Sequence, residues 1–206
     1  MTRILLAGGG TGGHVFPLLA VADALKEVAP DVAVHFVGTL RGLEARVVPP
    51  RGYPLETLVV SPIKGRGPRQ MFGAVLTAGR ATLDAVRLVR RLEPKLVVSV
   101  GGYAAGPVAA AAVMLGIKVA LIEPNRTVGM TQRLLGPVAS RVYVGFPDAA
   151  SGYGARGRAL GVPLRAGFSP CPLPETPVPM LLVMGGSQGA SHLNAVVPEA
   201  AAEMVR

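Results

Sequence analysis

The sequence predicts an α/β fold around a parallel sheet, and three observations predict it. Short Val/Ile/Leu runs alternate with longer helix-like stretches, the pattern of βαβ units. Three of the apolar runs end in glycine-rich turns that open a helix. The uncharged stretch 96–117 carries Gly101, Gly102, Gly106 and Pro107 in its middle. Those residues would break a membrane-spanning helix but suit a buried strand, a turn and an Ala-rich helix.

In chain order, the apolar runs place strands at 3–7, 32–37, 56–60, 96–100, 119–122, 141–144 and 180–184. Continuous rather than alternating runs mean strands buried on both faces. Helices are expected at 14–28, 69–92, 107–115 and 127–135, the second with Phe72, Val75, Leu76, Leu83, Val86 and Val89 near helical spacing. Six prolines between 163 and 179 exclude helix and central strand, so the segment reads as an extended linker. After it a strand, a glycine turn and a helix pattern begin again, and that pattern runs to the last residue without a stop signal. The expected organisation is a Rossmann-like domain over 1–163, a Pro-rich linker over 164–179, and the first strand, loop and helix of a second, truncated Rossmann-like domain over 180–206.

Composition narrows the function classes. Of 206 residues, 50% are hydrophobic and 16% charged, which excludes a disordered or fibrous chain. A single cysteine, Cys171, excludes a disulfide framework and a Cys-based zinc site and fits a reducing compartment. The apolar start at Ile4 reaches glycine within a few residues, too short for the core of a signal peptide. Net charge is +9, and residues 40–95 hold 11 Lys/Arg against 4 Asp/Glu, so one segment makes the protein basic. Within it, Lys64, Arg66 and Arg69, followed by Phe72, Val75 and Leu76, combine cations with apolar groups as at an anionic membrane surface. The alternative is a helix packed on the sheet with solvated cations. A nucleic-acid partner lacks the interleaved aromatics and motifs it would need.

The chemistry concentrates in the glycine turns: Gly8-Gly9-Gly10-Thr11-Gly12-Gly13-His14, Gly101-Gly102-Tyr103-Ala104-Ala105-Gly106, and Gly185-Gly186-Ser187-Gln188-Gly189. Free N–H groups and the positive end of a helix favour phosphate oxygens, and Thr11, Ser187 and Gln188 add side-chain hydrogen bonds. For the middle turn, a plain βα connection explains the glycines equally well. Gly8, Gly10 and Gly13 satisfy G-x-G-x-x-G, yet the end of the second strand is Val37-Gly38-Thr39 with no acid for a ribose. No Gly-Lys-Ser/Thr follows either, so phosphate binding without a dinucleotide or a Walker lysine remains. His14 falls in the first helical turn, where a neutral imidazole accepts a proton or a core histidine caps the helix. His35 and His192 stand apart, without carboxylate partners at metal-ligand spacing, so no metal is expected. Glu123 and Asn125 follow a strand at the edge where open sheets bind ligands. They suit sugar hydroxyls, although Glu123 equally suits a helix N-terminus or a pair with Arg126. Arg165 at the head of the linker suits a phosphate clamp or plain exposure.

Together, Gly9-Gly10-Thr11-Gly12-Gly13-His14-Val15-Phe16-Pro17, Gly101-Gly102-Tyr103 with Gly106-Pro107, Glu123 with Asn125, Gly161 with Pro163 and Arg165, and Gly185-Gly186-Ser187-Gln188-Gly189-Ala190 resemble the bacterial peptidoglycan N-acetylglucosaminyltransferases, which convert lipid I to lipid II. The resemblance covers essentially the whole chain. It implies a two-domain glycosyltransferase-B fold. It also implies inverting transfer of GlcNAc from UDP-GlcNAc to the 4-hydroxyl of the muramyl sugar on an undecaprenyl-diphosphate acceptor, at the cytoplasmic face of the membrane, with no required metal or cofactor. Thr11, Gly12, Gly13, Asn125, Arg165, Ser187 and Gln188 would then contact the donor. Gly10, His14, Gly102, Tyr103 and Glu123 would line the acceptor side, with His14 the candidate base, and 61–80 would dock on the membrane. Two motifs depart from the family pattern: Ile122-Glu123-Pro124-Asn125 stands for His-Glu-Gln-Asn, and Gly161-Val162-Pro163-Leu164-Arg165 for Gly-Asn-Pro-Val-Arg. Most of the donor-binding domain has no counterpart here, which implies little transfer by these 206 residues alone.

Overall fold

The structure is a computed structural model that describes residues 2–60, 68–169, 180–185 and 190–204, with the side chains of 68–78 left aside. It divides into two compact units, Met1–Phe168 and Ser169–Arg206.

The first unit is one seven-stranded parallel sheet. Its strands are β1 (Arg3–Gly8), β2 (Ala33–Gly38), β3 (Leu55–Thr57), β4 (Leu96–Gly101), β5 (Lys118–Glu123), β6 (Arg141–Val144) and β7 (Gly157–Ala159), in the spatial order β3-β2-β1-β4-β5-β6-β7. The chain first builds outward from β1 to β3, then returns to lie beside β1 and builds the other way. The order therefore reverses between β1 and β4, and that reversal opens a crevice beyond the carboxyl ends of those strands. The helices are α1 (Gly12–Val28), α2 (Glu44–Val47), α3 (Pro68–Leu92), α4 (Ala105–Met114), α5 (Met130–Leu135) and α6 (Pro147–Ala150).

Two apolar layers sandwich the sheet. On one face Leu5, Val97 and Leu121 pack with Ala85, Val89, Val108 and Ala112 of α3 and α4. On the other, Leu6, Phe36 and Val98 pack with Val15, Leu18 and Leu19 of α1. The alternation follows from the period of two: Leu5 and Leu6 leave opposite faces and both are fully buried. The uncharged stretch 96–117 is β4, a turn and α4, and among the described residues no helix is long and apolar enough to cross a membrane.

Most predicted elements are present within a few residues. Two differ. β7, a three-residue strand with two exposed side chains, has no apolar run to announce it and forms because β6 offers a free edge. The apolar run 180–184 is not a strand: it has no regular structure, and Met180, Leu181, Leu182 and Met184 are exposed. A strand needs a ladder partner, and none stands beside this run among the described residues of the second unit. The regular element among that unit's described residues is α7 (Ser191–Met204). Ser187, Gln188 and the prolines from 170 to 179 lie outside the described residues. So do Lys64 and Arg66 and the side chains of Arg69, Phe72, Val75 and Leu76.

Candidate functional site

The turns after β1 and β4 meet at the crevice. Gly8 stands opposite Gly101 at the end of the β1–β4 ladder, with a register shift between Ala7 and Gly8 that splays the two turns. Gly102, at φ +93°, lies so close to the first turn that a Cβ there would sit 2.5 Å from the carbonyl oxygen of Gly9. A positive φ and a backbone neighbour together leave only glycine. The middle turn is therefore glycine-rich because another turn packs on it.

Two cavities open here. The first, about 480 Å³, is lined by Gly9, Gly10, Thr11 and His14 from one turn, Val100, Gly101, Gly102 and Tyr103 from the other, Glu123 and Asn125 after β5, and Met130 to Gln132 of α5. The second, about 450 Å³, is lined by Thr11, Gly12, Gly13, His14, Phe16, Asn125, Val162, Pro163, Arg165 and Phe168. Thr11, His14 and Asn125 belong to both walls.

His14 stands in the first turn of α1. Its Nδ1 lies 3.1 Å from the carbonyl oxygen of Gly9 and 3.4 Å from Thr11 Oγ1. A carbonyl only accepts, so Nδ1 carries the proton and Nε2 keeps its lone pair for the cavity. A basic nitrogen at the wall of a ligand-sized crevice is equipped to take a proton from a hydroxyl.

Glu123 reaches the first cavity's floor but is not free to read a sugar. It is 1% exposed; Oε1 accepts from the backbone and side-chain amides of Asn125 at 2.9 and 3.0 Å, and Oε2 from the Gly129 amide at 2.6 Å. A buried carboxylate must find donors, and the loop that leads into α5 supplies them. The expected contact with hydroxyls is thus replaced by a loop-shaping role that fixes Asn125, whose exposed amide remains at the cavity wall. Arg126 pairs with Asp148 at 2.8 Å. Tyr153, packed beneath Gly136, has its hydroxyl pushed above its ordinary pKa by burial and then by the Glu123 charge. Gln132, 2% exposed, donates from Nε2 to the carbonyls of Val100 and Ile122 at 2.8 and 3.0 Å and so ties the parting ends of β4 and β5.

In the second cavity the guanidinium of Arg165 lies between two aromatic rings, 5.1 Å from Phe16 and 5.2 Å from Phe168. Stacking on ring faces leaves the N–H edge of the fork open. The amides of Gly12 and Gly13 belong to the first turn of a 17-residue helix and precede its hydrogen-bond ladder. Cation and helix start lie in one cavity, the arrangement a phosphate group needs.

Sequence reasoning missed Glu44. It stands at the start of α2, 1% exposed, and its carboxylate takes the amide of Gly10 at 2.8 Å and the amide and hydroxyl of Thr39 at 2.7 and 2.8 Å. The Gly10 amide is therefore turned to Glu44 and not to a ligand. Gly10 lines the cavity, as expected on the acceptor side, but its N–H is taken by Glu44. A carboxylate does serve the end of β2, five residues past Thr39 in the chain. The clue lay in Gly9, Gly38 and Gly42, where any side chain would overlap the Glu44 carboxylate.

Residues 4–144 match the family model described as the glycosyltransferase family 28 N-terminal domain. The chain belongs to this family. Among curated family 28 relatives, the UDP-N-acetylglucosamine--N-acetylmuramyl-(pentapeptide) pyrophosphoryl-undecaprenol N-acetylglucosamine transferase of Sorangium cellulosum is 48% identical over 98% of this chain and 51% of its own length. The protein of the same name from Methylococcus capsulatus is 44% identical over 98% of this chain and 57% of its own. The chain thus spans about half the length of the relatives it matches. The crystal structure of Acinetobacter baumannii MurG superposes with a TM-score of 0.63 at 33% identity, covering 72% of this chain and 43% of that one. UDP-GlcNAc 2-epimerase from Neisseria meningitidis, at 13% identity and a TM-score of 0.55, shares the fold.

Proposed function

We propose that this family 28 domain is the acceptor-binding half of an inverting N-acetylglucosaminyltransferase that moves GlcNAc from UDP-GlcNAc to the 4-hydroxyl of the muramyl sugar on undecaprenyl-diphosphate-linked lipid I. The observation that carries the reading is His14: a histidine in the wall of the crevice at the sheet's point of reversal, its Nδ1 engaged by the Gly9 carbonyl and its Nε2 without a protein hydrogen-bond partner among those described. Names of relatives at 44–48% identity give the substrates. His14 removes the proton from the attacking hydroxyl, which displaces UDP from the anomeric carbon with inversion. Gly102, Tyr103 and the walls of the first cavity hold the acceptor. Gly12, Gly13, Asn125 and Arg165 face the donor diphosphate, with Ser187 and Gln188 contributing from beyond the linker 164–179. The basic and apolar segment around Lys64, Arg66, Arg69, Phe72, Val75 and Leu76 rests on the anionic cytoplasmic leaflet.

The test has two arms. The 206 residues alone are expected to transfer little GlcNAc, because the second half of the relatives has no counterpart in them; joined to that half of a relative, they should transfer. In the joined protein His14→Ala should lower kcat by roughly 10²–10⁴-fold, the range of a lost general base. Transfer unaffected by that substitution would refute the role given to His14. Sedimentation with anionic vesicles, weakening as salt rises, tests the membrane reading.

A further inference from the structure

Three segments of the first unit close around one carboxylate. Gly9 and Gly10 come from the turn after β1, Gly38 and Thr39 from the end of β2, and Gly42 and Glu44 from the approach to α2. Glu44 has no cation beside it among the ion pairs of the described residues; three short hydrogen bonds from N–H and O–H donors compensate its burial. Burying a charge without a counterion is costly, and a fold that needed only packing here would use an apolar side chain. The carboxylate is instead the one acceptor that satisfies the amide of Gly10, a residue held at φ +91°.

That bond fixes more than one glycine. With its amide turned inward, Gly10 sets the peptide that joins it to Gly9, and the Gly9 carbonyl points at His14 Nδ1, 3.1 Å away. Gly102 packs close to that carbonyl, where any side chain would overlap its oxygen. Each link joins a side chain to the one Gly9–Gly10 peptide: the Glu44 carboxylate to its amide, the imidazole to its carbonyl.

We propose that Glu44 is a positioning residue: through the first glycine turn it holds the Gly9 carbonyl as the acceptor for His14 Nδ1–H, and so selects the tautomer that presents a bare Nε2 to the crevice. The proposal deepens the role given to His14 above and rests on that reading for its relevance to transfer, but its test needs no sugar nucleotide and no acceptor. Glu44 itself touches no reacting atom.

The experiment is long-range ¹H–¹⁵N correlation of the histidine rings in the 206-residue chain, together with hydrogen exchange of the Gly10 amide. In the unsubstituted chain His14 must report the Nδ1–H tautomer; an Nε2–H ring overturns the proposal before any variant is made. In Glu44→Gln the side chain has one acceptor end and one donor end and cannot accept from Gly10 and Thr39 together. Gly10 exchange should quicken at least tenfold, and the His14 spectrum should lose its single-tautomer signature. Thr39→Val removes the hydroxyl bond to the same carboxylate and leaves the turn attached. It should lower stability without moving His14, which separates positioning from a merely structural role. Glu44→Asp, which keeps the charge and loses the reach, should move His14 in the direction of Glu44→Gln and serves if that variant does not fold. A His14 spectrum unchanged in both Glu44 variants would overturn the assignment whatever the outcome of a transfer assay.

Discussion

The first glycine turn does two unlike things within six residues. Its first half, Gly8 to Gly10, is spent inside the protein: Gly9 leaves space for Glu44 and offers its carbonyl to His14, and the Gly10 amide goes to the Glu44 carboxylate. Its second half, Gly12 and Gly13, opens a helix whose first amides face a cavity shared with Arg165. A glycine-rich motif is commonly read as one phosphate cradle. Here the two halves differ in sign, a buried anion behind one and an exposed cation before the other, so an anionic group belongs on the Gly12 side and a neutral or hydroxylic one on the Gly9 side.

Breaking the first half should cost most. Glu44→Ala takes the shared acceptor from the Gly10 amide and from the amide and hydroxyl of Thr39, and at roughly 0.5–1.5 kcal/mol for each part-buried bond urea denaturation should show a loss of about 2 kcal/mol or more. A near-neutral result would remove the distinction between the halves. On the second half, Arg165→Ala should leave the urea midpoint in place, since the side chain is exposed, while calorimetric titration with inorganic diphosphate weakens about tenfold, the equivalent of one lost charge-assisted hydrogen bond. Phe16→Leu removes one of the two rings about that guanidinium. A cation–π contact of ~0.5–1 kcal/mol predicts only a two- to fivefold loss in the same titration. An equal or larger loss than Arg165→Ala would mean that the ring, not the cation, holds the anion.

The smallest effect lies away from both halves, at His35 on β2. Burial, and then the Arg3 charge, hold its pKa below the ordinary value, and its Nδ1 has no hydrogen-bond partner. The folded protein therefore keeps the neutral ring that the unfolded chain protonates below about pH 6.5. The stability it carries is complete above that pH and is lost as pH falls toward the lowered folded value. His35→Gln should flatten the decline of the urea midpoint just below pH 6.5 and leave it unaltered at pH 8.

How much of this was legible in the sequence depends on how far apart the partners stand. β1, β4 and β5 announce themselves because strands buried on both faces must be apolar throughout, and Leu5, Leu6, Val97 and Val98 need no knowledge of the rest of the chain. The same rule misleads at 180–184, where the run is as apolar but no strand stands among the described residues of its own unit. His14 was legible from its place after the glycines. Glu44 was not, because its meaning lies in a bond to Gly10, 34 residues away, and nothing in Leu43-Glu44-Ala45 distinguishes it from a solvated helix start. Glu123 was found for its position, and only the folded loop chooses between the two chemistries left open for it, showing both oxygens engaged by Asn125 and by Gly129 at the start of α5.

Gln132 carries a consequence of its own. The β4–β5 ladder runs from Leu96 opposite Lys118 to Ser99 opposite Leu121, and past it the carbonyls of Val100 and Ile122 fall outside the ladder. One primary amide with two hydrogens answers both. The mouth of the crevice is thus gauged by a single side chain used as a spacer: its two methylenes set how far α5 stands off the sheet, and a residue one methylene shorter would draw the opening closed.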